Sequence, residues 1–161
     1  MLQDNGSSLE HRSAVIGREL ERYGIDIAAL GETRLPGVSH LEERGSGYKF
    51  YWSGKPESDS RQAGVGFAIK TKHINLLDVV PTGMSERLMT GWLKLDNERY
   101  ATITSTYAPT MTNTDEIKEK FYNDISAVIV NISLWQAYFA GGLQRPSGIM
   151  LREKRWSDTT A

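Results

Sequence analysis

The sequence predicts a mixed α/β (α+β) fold. Three observations predict it: a helical run that stops on a glycine and passes at once into an apolar strand, a close succession of further strand-like runs, and an amphipathic helix after them. A helix feeding directly into a buried strand describes an α/β layer, not an all-β sandwich. Strands that follow one another without intervening helices describe an antiparallel or mixed sheet.

The elements are justified in turn. Val15, Ile16, Leu20 and Tyr23 recur at helical spacing, and Gly24 suits the left-handed stop that ends a helix. The strand "IDIAALG" (Ile25–Gly31) follows, ending on the acid Glu32. The segment after Glu32, rich in glycine and charge, reads as a loop. "YKFYWSG" (Tyr48–Gly54), "AGVGFAIK" (Ala63–Lys70) and "NLLDVV" (Asn75–Val80) read as strands. "RLMTGWLKL" and "RYATITSTY" flank Asp96-Asn97-Glu98, a hairpin signal. Pro109 ends that run. Asn113 with Glu116 three residues on resembles a helix N-cap and its reciprocal partner. Ile117, Phe121, Ile125, Val128 and Ile132 then line one helical face, expected to pack on the sheet. Beyond about residue 134 there is no clear period and no good cap. The reading is therefore one domain over residues 1–133 and a divergent tail over 134–161.

The chain has 161 residues, the size of one ordinary domain, with 39% hydrophobic residues and a formal net charge of −1. Enough apolar side chain is present for a core, and no global basic field advertises a nucleic-acid partner. There is no cysteine, which excludes disulfides, thiol catalysis and Cys-ligated zinc, and fits a reducing, intracellular compartment. The polar N-terminus lacks the apolar stretch of a secretory signal. Ile125–Gln144 carries no charge, but Ser126, Asn131, Ser133, Gln136 and Gln144 argue against a membrane span.

Two residues stand out chemically. Open α/β proteins bind ligands at the carboxyl ends of strands, so Glu32 is placed to hold a hard cation such as magnesium; it could equally be a solvated strand-end acid paired with Arg34. Tyr107, where "ATITST" meets "YAPT", could present its hydroxyl at the same rim to a phosphate or its attacking water, or simply pack its ring at a corner. His11, His40 and His73 lack ligand spacing and read as surface or structural. "GVG" (Gly64–Gly66) lacks the Lys-Ser/Thr of a phosphate loop and reads as strand glycines that allow close packing. Arg145, Arg152, Lys154, Arg155 and Trp156 give the tail a basic bias with one ring able to stack on a base, though a solvated tail explains them as well.

Six segments in order, "AVIGRELERYGIDIAALGETR", "GYKFYWSGKP", "AGVGFAIK", "ERLMTGWLKL", "YATITSTYAPT" and "EIKEKFYNDI", resemble the endonuclease/exonuclease/phosphatase superfamily. They are most similar to the endonuclease domain of non-LTR retrotransposons, within it to the craniofacial development protein 2-like group. The resemblance covers about Leu9 to Ile125. It implies a four-layer fold of two stacked sheets with helices outside, magnesium-dependent hydrolysis of phosphodiesters, DNA as the partner, and a place inside the cell, the nucleus included. It also implies roles: Glu32 falls on the metal-binding glutamate of the family's "E-T" motif, and Tyr107 on the active-site tyrosine of its "Y-A-P" motif.

Other family motifs have no match. The family opens on a strand ending in asparagine, as in "W-N-V-R-T"; Asn5 lies in a polar Gly-Ser context and is no substitute. Where the family carries "G-D-F-N" this chain has "GGLQ", which puts Gly142 and Gln144 in place of the aspartate and asparagine. Ser157-Asp158-Thr159 comes too early for the family's "S-D-H" and has Thr for His. The expectation is an incomplete domain with impaired catalysis and weak magnesium binding, since general acid–base assistance is typically worth about 10²–10⁴-fold. The alternative is a non-enzymatic retroelement remnant acting, if at all, as an interaction module. The chain is also expected to supply mainly one sheet, whose inner face lacks part of its cover.

Overall fold

The computed structural model describes residues 5–59, 62–96 and 99–139. The chain separates into two compact units, Met1–Asp124 and Ile125–Ala161, and both sheets lie in the first. The order is α1 (Asn5–Arg22), β1 (Ile27–Gly31), β2 (Val38–Glu43), β3 (Tyr48–Ser53), β4 (Val65–Lys70), a 3₁₀ turn (Thr71–Leu76), β5 (Leu77–Ser85), β6 (Leu88–Lys94), β7 (Tyr100–Thr106) and α2 (Asp115–Phe139). A four-stranded sheet runs β1-β4-β3-β2 and a three-stranded sheet β5-β6-β7, with antiparallel pairing throughout. The fold is mixed α+β.

Alternation in β3 and β4 builds the core on both faces of the first sheet. Val65, Phe67 and Ile69 of β4 and Tyr51 of β3 form a buried cluster with Met89 of β6, against which Ile103 of β7 and Leu77 of β5 pack. On the opposite face Tyr48, Phe50 and Ala68 are buried against Leu20 of α1 and against Ala28 and Leu30 of β1. Each large side chain so enclosed contributes about 1.5–3 kcal/mol of transfer free energy. Two buried serines tie the sheets: the Ser53 hydroxyl donates to the Ser85 carbonyl at 2.9 Å, and that of Ser105 to the Leu30 carbonyl at 3.2 Å.

The structure corrects the sequence in several places. The chain does not supply mainly one sheet: β5, β6 and β7 form a second, and Met89 and Ile103 help cover the inner face of the first. The segment after Glu32 is not all loop, because it contains β2, an edge strand whose "VSHLEE" is too charged to read as one. On α1 only Leu20 of the four apolar residues packs on the sheet; Val15, Ile16 and Tyr23 are exposed. At α2, Asn113 is not the N-cap. Its Oδ1 accepts from the Thr110 backbone at 2.8 Å, inside the preceding loop, while Lys118 N–H closes the first helical turn on the Thr114 carbonyl at 3.2 Å.

The strand read as Asn75–Val80 also shifts, because Asn75 and Leu76 close the 3₁₀ turn and β5 runs on to Ser85. At the end of α1 the two agree. The helix α1 ends as glycine spacing requires: Gly24 sits at φ 66°, its N–H donates to Glu21 O at 3.0 Å, and Ile25 N–H donates to Leu20 O at 2.9 Å, the paired bonds of a Schellman stop. On the apolar face read for α2 the outcome is mixed: Phe121 and Val128 are buried, but Ile117 is exposed. Helix α2 continues to Phe139, past the point where the sequence loses its period, and the rest of the tail lies outside the described residues.

Candidate functional site

The site is a rim where four chain segments meet, two from each sheet. The stretch after β1 bonds to the stretch before β4: Thr33 N–H donates to Gly64 O at 3.1 Å and Arg34 N–H to Ala63 O at 3.0 Å. The second sheet continues the lacing, with Gly64 N–H on Glu86 O at 2.9 Å and Tyr107 N–H on Arg87 O at 2.9 Å. Backbone donors and acceptors that β pairing would have used are thereby satisfied where the strands end.

This lacing brings Glu32 and Tyr107, 75 positions apart, into direct contact: the phenol donates to Glu32 Oε1. The sequence proposes these two residues, and the fold places them on one rim. Arg34 Nη2 stands 3.8 Å from Glu32 Oε2, with both side chains exposed. Such a pair contributes about 0–1 kcal/mol. Arg87 adds a second guanidinium, which lies 5.4 Å from the Tyr107 ring centroid and donates from Nη1 to the Tyr107 carbonyl at 3.2 Å. Its Nε–H is enclosed with no partner among the described residues. The Tyr107 phenol titrates above its ordinary value, first because it donates to Glu32 and then because of burial and the Glu32 charge.

The backbone of this rim is unusual. The three non-glycine residues with positive φ among the described ones are Glu32 (50°), Arg34 (53°) and Ala63 (72°), and all three lie in it. Each costs about 1–2 kcal/mol relative to ordinary backbone. Gly64, at φ 108°, leaves no room for a side chain: a Cβ would stand 2.3 Å from Thr33 Oγ1 and 3.0 Å from Arg34 N. The "GVG" glycines thus divide. Gly66 permits close packing inside the sheet, where a Cβ would meet Tyr51 O at 2.3 Å, and Gly64 shapes the rim.

The residues present suit the implied magnesium ion poorly. Magnesium is commonly bound through one or two carboxylates, with waters and substrate phosphate completing an octahedron. Here one carboxylate is offered; one of its oxygens already accepts the phenol and the other faces a guanidinium. Among the described residues no group of three or more His, Asp or Glu side chains gathers to hold a metal ion. The histidines stay out of the site. His73 Nε2 lies 3.1 Å from Asp26 Oδ2, His40 sits beside the Tyr51 ring, and His11 is exposed. Gly142, Gln144 and the basic tail residues lie outside the described residues. Among the described residues no helix is long and apolar enough to cross a membrane.

Arg87 and Ala63 are the participants that the sequence does not announce. Each joins the rim through a backbone bond to a segment distant in sequence, a relation no local pattern carries. No family model matches the chain, and no curated protein matches it.

Proposed function

We propose that this chain is an endonuclease-like domain of retrotransposon type, related to the magnesium-dependent DNA phosphodiesterases of the endonuclease/exonuclease/phosphatase superfamily, with little catalytic power of its own. The observation that carries this reading is the Glu32–Tyr107 contact. An acid at the end of one strand and a phenol at the end of another, distant in sequence, share one exposed rim, as the family's metal ligand and active-site tyrosine would. Arg34 and Arg87 give the same rim two guanidinium groups able to meet a phosphate backbone.

The loss of power is read from the same contact. A carboxylate closed by a phenol and flanked by a guanidinium is a poor magnesium ligand, and among the described residues no group of three or more His, Asp or Glu side chains gathers to hold the ion. Intracellular DNA is the partner on this reading. The test is relaxation of supercoiled plasmid with and without magnesium, comparing the chain with Glu32→Ala. No magnesium-dependent nicking above background is expected from either. Nicking that needs magnesium and vanishes in Glu32→Ala would overturn the impaired reading and make the domain a working nuclease. Duplex DNA binding, followed by fluorescence anisotropy, should weaken with salt and with Arg34→Gln; indifference to both would remove DNA as the partner.

A further inference from the structure

Adjoining the rim at Glu32 and Thr33, a hollow of about 130 Å³ lies between α1 and the first sheet, walled by Ile16, Leu30, Leu41, Phe50 and Trp52. Two of its polar wall groups are engaged, while the Thr33 hydroxyl is enclosed with no partner among the described residues. The Ser13 hydroxyl donates to Glu10 O at 2.9 Å, and Trp52 Nε1–H donates to Pro36 O at 3.2 Å. The interior therefore offers an incoming molecule mostly apolar contact surface and one free hydroxyl, which selects a largely apolar body with a polar group at its edge. A dry cavity of about 150 Å³ lined by Leu, Ile and Phe takes up benzene, so one six-membered ring matches this space.

The wall also includes two charged residues, Glu32 and Arg12. Glu32 accepts the Tyr107 phenol and faces Arg34. Arg12 is exposed and has no ion pair or hydrogen bond among the described residues. A largely apolar hollow whose wall carries a guanidinium with no ion pair among the described residues, beside a Glu32 carboxylate already engaged by Tyr107, has the make-up of an organic-acid site, because a planar carboxylate can take two parallel N–H donors from arginine.

We infer that this hollow binds a small aromatic or branched carboxylate, ring inward against Phe50 and Trp52, carboxylate on Arg12. The site goes beyond the proposed function; Glu32 borders both, so the test is read at Arg12, Leu41 and Trp52, which have no part in the Glu32–Tyr107 contact.

The experiment is a titration of the ¹⁵N-labelled chain with benzoate, and in parallel with benzyl alcohol, a ring of the same size without the charge. Benzoate should give saturable shifts at Leu30, Leu41 and the Trp52 indole. Arg12→Gln, at an exposed position that leaves the fold intact, should weaken benzoate about tenfold and leave benzyl alcohol unchanged, the loss expected for one charge-assisted contact. Leu41→Trp, which fills the space, should abolish both. Shifts that do not saturate up to about 20 mM, well above the weakest specific affinity of interest, overturn the site. Equal benzoate affinity in Arg12→Gln overturns the assignment of an organic anion, and unchanged binding in a folded Leu41→Trp overturns the location.

Discussion

The centre of the first sheet and its rim are built from adjacent stretches of the same strands, yet they follow opposite rules. In the centre, Phe67, Ala68 and Ile69 of β4 are essentially buried, with the alternation that β backbone prefers. A few residues away, Ala63 before β4 and Glu32 and Arg34 after β1 sit in left-handed backbone that non-glycine residues avoid. Side chains there meet through polar contacts. Proteins tolerate such local violations where surrounding structure over-determines them, and they concentrate at functional sites. The difference teaches where to look: the centre accounts for stability, and the rim is held in its shape by four segments laced through their backbones.

That contrast predicts a graded set of effects. Truncating the centre should cost most. Phe67→Ala removes a ring left 1% exposed and should destabilise the fold by about 3–5 kcal/mol in urea or guanidinium denaturation. A loss under about 1 kcal/mol would mean that the two sheets do not enclose this ring as described. Gly64→Ala comes next. It places a Cβ against Thr33 and the Arg34 amide at φ 108° and should cost about 1–3 kcal/mol. Ala63→Gly should change least. Relief of left-handed backbone returns about 1–2 kcal/mol, against about 0.5–1 kcal/mol lost to the freer unfolded chain and about 0.8 kcal/mol for the buried methyl. The net is near zero, visible as an almost unmoved denaturation midpoint with an unchanged slope. A loss above about 1 kcal/mol would show that the rim's backbone is not strained at that position.

Much of the fold was legible. The strands with strong apolar content, β1, β3, β4, β6 and β7, and the amphipathic α2 all announce themselves, because burial on a sheet or helix face leaves a period in the chain. β2 did not, since an edge strand carrying His40, Glu42 and Glu43 has no such period to show. The second sheet was hidden for a different reason: sequence reveals strands, but not which of them part company to form a new layer. Asn113 looked like a cap because it has capping chemistry, and it spends that chemistry on Thr110 instead. At the rim, Glu32 and Tyr107 stood out as strand-end residues with a bland reading beside the chemical one, and the resemblance supplied their roles. Arg87, Ala63 and the role of Gly64 depend on backbone bonds between segments far apart in the chain, and local residue preferences carry no trace of those.

The central claim is that the Tyr107 phenol donates to the Glu32 carboxylate across the two sheets. That contact raises the Tyr107 titration above its ordinary 10.0. The sign follows directly: the bond's contribution to stability is fully present below that ordinary value and fades as pH climbs through the raised one. Titrating ¹³Cζ-tyrosine-labelled protein by NMR, in the natural chain and in Glu32→Gln, measures it most directly. A Tyr107 midpoint above free tyrosine that falls back in Glu32→Gln is the predicted result. The same midpoint in both proteins would contradict it and separate the two residues on which the site is built.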